Sequence, residues 1–295
     1  MRAAYLGPAG TNSHDALVAA GGDWEPLPLL TVAAVVAAVQ DGSAERGLVP
    51  VENSRQGGVG ATLDALVFDA ADVVIVGELV HRVTYCLVAG EPYTPDEIRS
   101  VHSHPQATGQ CAGFLADRLP GAGVVAAAST ADAVRAVAAG EALAGDSPHA
   151  AIGTPAAARL YGAVVLAEGI EDDPENATRF AWIARAGAGA LPSPAAADVT
   201  PVKTTLVFWG GGDVAPGWLV TCLTQFAVRG VNLTRIESRP RRVGLGHYMF
   251  VCDLVGAAGD DAVANAISAL GAHCEAVRVL GSFPAADDAP APAAG

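Results

Sequence analysis

The chain predicts an α/β protein built as two units, and three observations carry that prediction. Short apolar strands alternate with longer helical stretches over residues 1–185. A Gly/Pro/Ala-rich stretch without periodicity interrupts the pattern at 186–202. A new order, βαββαβ, then runs over 203–284. Alternation of strand and helix implies a largely parallel sheet in the first unit. The βαββαβ order of the second is the ferredoxin-like arrangement.

In the first unit, Arg2–Leu6 reads as a strand, followed by a glycine-bearing turn and a helix from about Ser13. Gly47–Val51 is a buried strand, Val73–Val76 a β-branched one, and Tyr85–Ala89 another. Ser129–Ala139 has helical apolar spacing, with Ser129 or Thr130 as its cap. Ala150–Ile152 is a short strand and Pro155–Tyr161 a helix. In the second unit Thr204–Trp209, Asn232–Ser238, Tyr248–Leu254 and Cys274–Gly281 are strands, and Pro216–Val228 and Asp260–Leu270 are helices. Residues 285–295 are Ala/Pro/Asp-rich and expected to be disordered.

Bulk properties narrow the function. A length of 295 residues suits two domains, and 51% hydrophobic residues supply their cores. The net charge of −14 argues against a nucleic-acid partner, which needs a basic face. An anionic substrate must therefore be held by local donors. The longest apolar run, Leu29–Val39, is too short to span a bilayer, and Met1–Leu6 passes straight into Gly-Pro without the pattern of a signal peptide. The five cysteines are widely spaced with no CxxC pair. Reduced, mostly buried thiols in a cytoplasmic protein are expected, with no metal site.

Four polar segments stand out. Gly7-Pro8-Ala9-Gly10-Thr11-Asn12-Ser13 joins a strand to a helix start, where free backbone N–H groups receive anions and glycine permits close approach; a capped tight turn explains it equally. Val49-Pro50-Val51-Glu52-Asn53-Ser54 ends a strand in three polar residues, and ligands of open α/β sheets collect at strand carboxyl ends. Ser103-His104-Pro105-Gln106 opens a helix, with Ser103 as a plausible cap and Pro105 in the first turn; this accounts for neither His104 nor Gln106. An acidic loop, 171–175, delivers Asn176-Ala177-Thr178-Arg179-Phe180 at the start of an apolar strand. Singly, each is compatible with a turn or a cap.

In this order, the four segments resemble the prephenate dehydratase family across the whole first unit. Gly230–Pro240, with its Glu237-Ser238-Arg239-Pro240, and Pro216-Gly217-Trp218-Leu219-Val220 resemble the ACT regulatory domain fused to such enzymes. The resemblance implies a two-lobed, periplasmic-binding-protein-like catalytic region with its site between the lobes. It implies a carbon–oxygen lyase of phenylalanine biosynthesis that converts prephenate to phenylpyruvate, carbon dioxide and water without cofactor or metal. It further implies L-phenylalanine as feedback effector and a homo-dimer or tetramer.

On that reading Thr178 stands at the leaving ring hydroxyl as an oriented hydrogen-bond donor. Asn53 and Gln106 polarise the substrate, His104 tunes protonation near neutral pH, and Glu52 completes the catalytic set. Thr11, Ser13, Ser54, Arg179 and Phe180 bind substrate, with Arg179 suited either to a substrate carboxylate or to Glu52. Gly217, Trp218, Leu219, Asn232, Glu237 and Ser238 hold the effector, its carboxylate on the helix N–H groups opened by Gly217. Two departures matter: the family more often has Glu at Ala9 and an aromatic at Asn12, which leaves arogenate as an alternative substrate, and Leu245-Gly246-His247 replaces a frequent aromatic before Tyr248. A prephenate decarboxylase and a non-catalytic amino-acid-binding protein are the rival readings.

Overall fold

The structure, a computed structural model, describes residues 1–188, 201–212 and 215–286. Most of the expected linker and nearly all of the expected tail lie outside the described residues. The first lobe contains β1 (Arg2–Leu6), α1 (Asn12–Ala19), β2 (Glu25–Leu29), α2 (Val32–Asp41), β3 (Arg46–Asn53), β4 (Gly57–Gly58), α3 (Gly60–Asp64) and β5 (Val73–Arg82). The chain then crosses to a second lobe: β6 (Cys86–Ala89), β7 (Ser100–Ser103), α4 (Pro105–Gln110), α5 (Ala112–Arg118), β8 (Gly123–Ala126), α6 (Thr130–Ala138), β9 (His149–Gly153), α7 (Pro155–Tyr161) and β10 (Val164–Glu168). It returns through β11 (Ala177–Arg185). The C-terminal domain follows as β12 (Val202–Trp209), α8 (Trp218–Ala227), β13 (Leu233–Pro240), β14 (Tyr248–Val255), α9 (Asp261–Gly271) and β15 (Ala276–Pro284).

Both lobe sheets are mixed, which corrects the largely parallel expectation. In the order β2-β1-β3-β11-β5, the β1 pairings are parallel, whereas β11 is antiparallel to β3 and β5. In β10-β6-β9-β7-β8, β7 is parallel to β8 and β9, and β6 is antiparallel to β9 and β10. The cause is the double crossing: β5 leaves the first lobe and β11 re-enters it beside β3. The C-terminal sheet, β13-β14-β12-β15, is antiparallel throughout, with α8 and α9 on one face, as the ferredoxin-like reading requires.

Local signals explain the helices nearest the site. Ser129 accepts from the Asp132 N–H to start α6, and Thr154 accepts from Ala157 N–H to start α7, which ends at Gly162 in the left-handed region. The other face of the C-terminal sheet packs on the first lobe. Val207, Met249, Val251, Leu280 and Phe283 share one apolar core with Val35, Val39, Leu63 and Leu66. At roughly 1.5–3 kcal/mol for each large buried side chain, this contact fixes the domain against the lobe. Among the described residues no helix is long and apolar enough to cross a membrane. Cys86, Cys111, Cys222 and Cys252 are buried and free, and Cys274 is half-buried.

Candidate active site

A cleft of about 360 Å³ opens between the lobes. Carboxyl ends of β1, β3, β7 and β8 meet there, as the rule for open α/β sheets anticipates. From the first lobe come Thr11, Asn12, Ser13, Asn53 and Gln56; from the second, His104, Gln106, Gln110, Ser129 and Thr130; from the crossings, Tyr85, Thr178 and Phe180. Leu6, Pro50, Val59 and Val83 supply apolar wall. No Arg, Lys, Asp or Glu lines the described cleft. Positive character comes instead from the N-termini of α1 and α6, which open into it.

Asn53 and Thr178 stand opposite each other where β3 ends and β11 begins, 8% and 9% exposed. The Asn53 Oδ1 accepts from the Arg55 and Gln56 N–H groups at 3.0 and 3.1 Å. Only oxygen can accept both, so Nδ2 points the other way. It donates toward Thr178 Oγ1 and Asn176 Oδ1, each at 3.0 Å, and toward the Ala177 carbonyl at 3.2 Å. Because Thr178 Oγ1 already accepts from Asn53, its own proton is free to point into the cleft. Ser54 does not line the cleft; its hydroxyl accepts from the Ala177 N–H at 3.0 Å and so fixes the segment carrying Thr178.

Glu52 and Arg179 lie behind the sheet, which corrects their assignment to catalysis and substrate binding. Successive strand residues face opposite sides, so Thr178 and Phe180 face the cleft while Arg179 faces the C-terminal domain. There it pairs with Glu52 at 3.0 Å. His104, not Ser103, caps α4: its Nδ1 accepts from the Gln106 N–H at 3.2 Å, leaving Nε2 as the donor of the neutral ring. Ser103 is buried and donates to the Ile152 carbonyl at 2.7 Å. The Thr11 hydroxyl turns back on the carbonyls of Leu6 and Pro8, at 3.1 and 3.0 Å.

Gly10 serves the lobe contact. At φ +89° it approaches Ala157 and Ala131 of the second lobe, whose methyls would lie 3.1 and 3.2 Å from an added Cβ. Nearby, Thr154 donates to the Gly10 carbonyl at 2.9 Å, Tyr161 to the Ala9 carbonyl at 3.1 Å, and the Ala156 N–H to buried Asp15 at 3.0 Å. Gln56, Tyr85, Gln110, Ser129 and Thr130 were missed as cleft residues, whereas Asn12 had been marked as a departure bearing on substrate. Ser129 was legible as a helix start following a strand; Tyr85 carried no local signal. Burial pushes the Tyr85 phenol up from its ordinary value, and Asn12 Nδ2 donates to its oxygen at 3.4 Å.

A second concavity of about 210 Å³ lies on the C-terminal domain, lined by Gly217, Trp218, Leu219, Val220, Tyr248 and Phe250 among others. Gly217 sits at φ +82° as the cap of α8. Asn232, Glu237 and Ser238 are not part of its lining within this chain. A register shift after Leu233 turns Arg235, Glu237 and Arg239 toward the first lobe and leaves Ser238 exposed; Asn232 is exposed where β13 begins. Glu237 pairs with Arg235 and closes on Gly58.

A family model described as prephenate dehydratase matches residues 3–188. The prephenate dehydratase of Mycobacterium sp. (strain JLS) is 40% identical, covering 99% of this chain and 91% of that protein. The one from Mycobacterium tuberculosis (strain ATCC 25618 / H37Rv) is 38% identical, with coverages of 96% and 87%. Among solved structures, prephenate dehydratase from Arthrobacter aurescens in complex with L-Phe superposes with a TM-score of 0.84 at 39% identity, over 100% of this chain and 93% of that one. A protein described as GqqA, a novel type of quorum quenching acylase, superposes with a TM-score of 0.83 at 32% identity, with coverages of 97% and 98%.

Proposed function

The chain belongs to the prephenate dehydratase family, and we propose that Thr178, oriented by Asn53, carries the conversion of prephenate to phenylpyruvate, carbon dioxide and water. One observation carries this reading: the Asn53 Nδ2 to Thr178 Oγ1 hydrogen bond of 3.0 Å, which leaves the threonine proton free to point into the cleft. That proton hydrogen-bonds the ring hydroxyl as it leaves with its bonding pair and takes up a proton from solvent to become water, while the ring carboxylate departs as carbon dioxide, its bonding pair entering the ring, which becomes aromatic. Phe180, Pro50, Val59 and Val83 give the ring an apolar wall, and a carboxylate stripped of water there loses carbon dioxide more readily. The N-termini of α1 and α6, with the uncharged donors Asn12, Gln106 and Gln110, suit the two substrate carboxylates. His104 Nε2 offers a further donor at the cleft.

The charge-free lining also weighs on the alternatives. Arogenate carries an ammonium group, which would find no carboxylate in the described cleft; this favours prephenate. Thr178 is paired with an amide and not with a base, which favours dehydration over the acyl transfer suggested by the name of the acylase neighbour. In the C-terminal domain, residues 203–284 read as an ACT regulatory domain beyond a catalytic region of residues 1–185. L-phenylalanine suits the concavity at Gly217, its carboxylate on the α8 N–H groups and its ring against Trp218, Tyr248 and Phe250. The relative from Arthrobacter aurescens was solved with that ligand. Strand β13 is a sheet edge with Ile236 45% exposed, which suits pairing with a second copy in a dimer or tetramer. The free, mostly buried thiols accord with work in the cytoplasm.

The test is incubation of the full chain with prephenate, with phenylpyruvate followed by its absorbance in alkali with and without L-phenylalanine, and in parallel with arogenate, whose dehydration would give L-phenylalanine instead, followed by amino-acid chromatography. Phenylpyruvate from prephenate, lowered by L-phenylalanine, supports the reading. A product that stays non-aromatic points to a decarboxylase, and no turnover of either substrate refutes it.

A further inference from the structure

Asn53 and Thr178 are register partners on β3 and β11, and so are their neighbours Glu52 and Arg179. The first pair faces the cleft and the second faces the C-terminal domain. Behind the sheet the Arg179 guanidinium, 15% exposed, reaches three carboxylates. Its Nη2 lies 3.0 Å from Glu52 and 2.9 Å from Asp253, and its Nη1 lies 3.2 Å from Glu78. Asp253, 2% exposed, accepts the Thr205 hydroxyl on its other oxygen at 2.7 Å and lies 3.9 Å from Arg235. Burial disfavours the charge on Arg179, but Asp253, Glu52 and Glu78 more than offset that and hold its proton more firmly than usual. A planar fork of five donors can serve three acids at once, which a lysine ammonium cannot do in the same geometry.

The cluster joins two domains: Arg179 reaches Asp253 from the first lobe, while Lys203 of the C-terminal domain reaches Glu78 at 2.7 Å and Arg235 lies 3.6 Å from Glu52. Strand β14 supplies Tyr248 and Phe250 to the concavity at Gly217, and three residues further on it supplies Asp253 to Arg179. Strand β14 thus links the concavity at Gly217 to the chain neighbour of Thr178. We propose that Arg179 is a positioning residue for Thr178, and that the Arg179–Asp253 pair couples occupancy of the C-terminal concavity to the cleft. The coupling half rests on L-phenylalanine being the effector.

The test uses the full chain carrying R179K or D253N. Turnover of prephenate is measured with and without L-phenylalanine, and L-phenylalanine binding is measured by calorimetry. R179K is expected to lower kcat by about tenfold or more with KM within about twofold of wild type, as for a displaced catalytic group. D253N is expected to bind L-phenylalanine with Kd within about twofold of wild type while its activity responds about fivefold less or weaker still. Circular dichroism checks folding; T205V, which removes one hydrogen bond from Asp253, replaces D253N if that fails, and E52Q, which weakens one partner of Arg179, replaces R179K, with the same outcomes deciding. Wild-type kcat in R179K, or a raised KM at unchanged kcat, overturns the positioning role. A full response in D253N overturns the coupling. Wild-type protein that binds no L-phenylalanine sinks the effector reading and the coupling together, and kcat of R179K still decides the positioning role.

Discussion

Replacing Asn53 by aspartate tests how the Thr178 hydroxyl is aimed. The side chain keeps its shape, and one oxygen still accepts from the Arg55 and Gln56 N–H groups. The other oxygen now takes the place of Nδ2, facing Thr178 Oγ1, Asn176 Oδ1 and the Ala177 carbonyl at 3.0–3.2 Å. As a carboxylate it can only accept, so the Thr178 hydroxyl turns to donate to it and its proton leaves the cleft. Loss of one oriented donor at a site of developing charge costs about 10²–10³-fold in kcat. The new carboxyl is buried and faces acceptors, so its folded pKa rises well above its ordinary ~3.9. Protonated, it becomes a donor again and restores the aim. N53D is therefore expected to lose activity near pH 8 and regain part of it, relative to wild type, as pH falls toward 6, while N53A shows no such recovery. Its stability runs the same way: a raised folded pKa contributes stability at low pH that is lost as pH rises through the folded value. A pH profile of kcat for the three proteins decides the matter. Wild-type activity of N53D at pH 8, or identical profiles for N53D and N53A, would refute the orientation argument.

Gly10→Val places a β-branched residue at φ +89° against Ala157 and Ala131, and a left-handed backbone alone costs about 1–2 kcal/mol. Calorimetry should show a lower Tm, and prephenate KM should rise as the lobe contact loosens. Gly281→Ala would drive its methyl into the Ile75 carbonyl of β5, and at about 1–3 kcal/mol for overpacking the denaturant midpoint should fall. His102 is buried against His149, with burial and then His149 lowering its pKa. The unfolded chain thus takes up the proton first, so this contribution to stability is intact above about pH 6.5 and lost as pH falls below it. Tm should decline from pH 7 to 5.5, and less steeply in H102N.

Much of the fold was legible because local chemistry and tertiary packing agree. The helix Pro155–Tyr161 has a threonine cap before it and a left-handed glycine after it, and its bounds were read as they stand. The βαββαβ order of the C-terminal domain was equally plain. Strand β2, Glu-Pro-Leu-Pro-Leu, was overlooked because its two prolines suit only a sheet edge, which is where it lies. Strand direction was not legible, since no residue of β11 announces that the chain is returning from a second lobe. At the cleft, the residue types were visible but their facing was not. Asn53 and Glu52 are equally polar, and pairing with β11 decides which one meets Thr178. His104 displaced Ser103 as the cap because Ser103 belongs to β7 and is drawn to the Ile152 carbonyl across the sheet. Within this chain, the bulge in β13 and its edge position keep Asn232, Glu237 and Ser238 out of the concavity at Gly217.

The central claim is that one hydroxyl proton, aimed by Asn53, carries the reaction. Turnover of prephenate by T178V and T178S measures it most directly. Valine keeps the shape and burial of the side chain without the hydroxyl, and serine keeps the hydroxyl without the methyl. The account predicts that T178V loses about 10²–10³-fold in kcat with KM near wild type, and that T178S retains most of the activity. Wild-type kcat in T178V would contradict it.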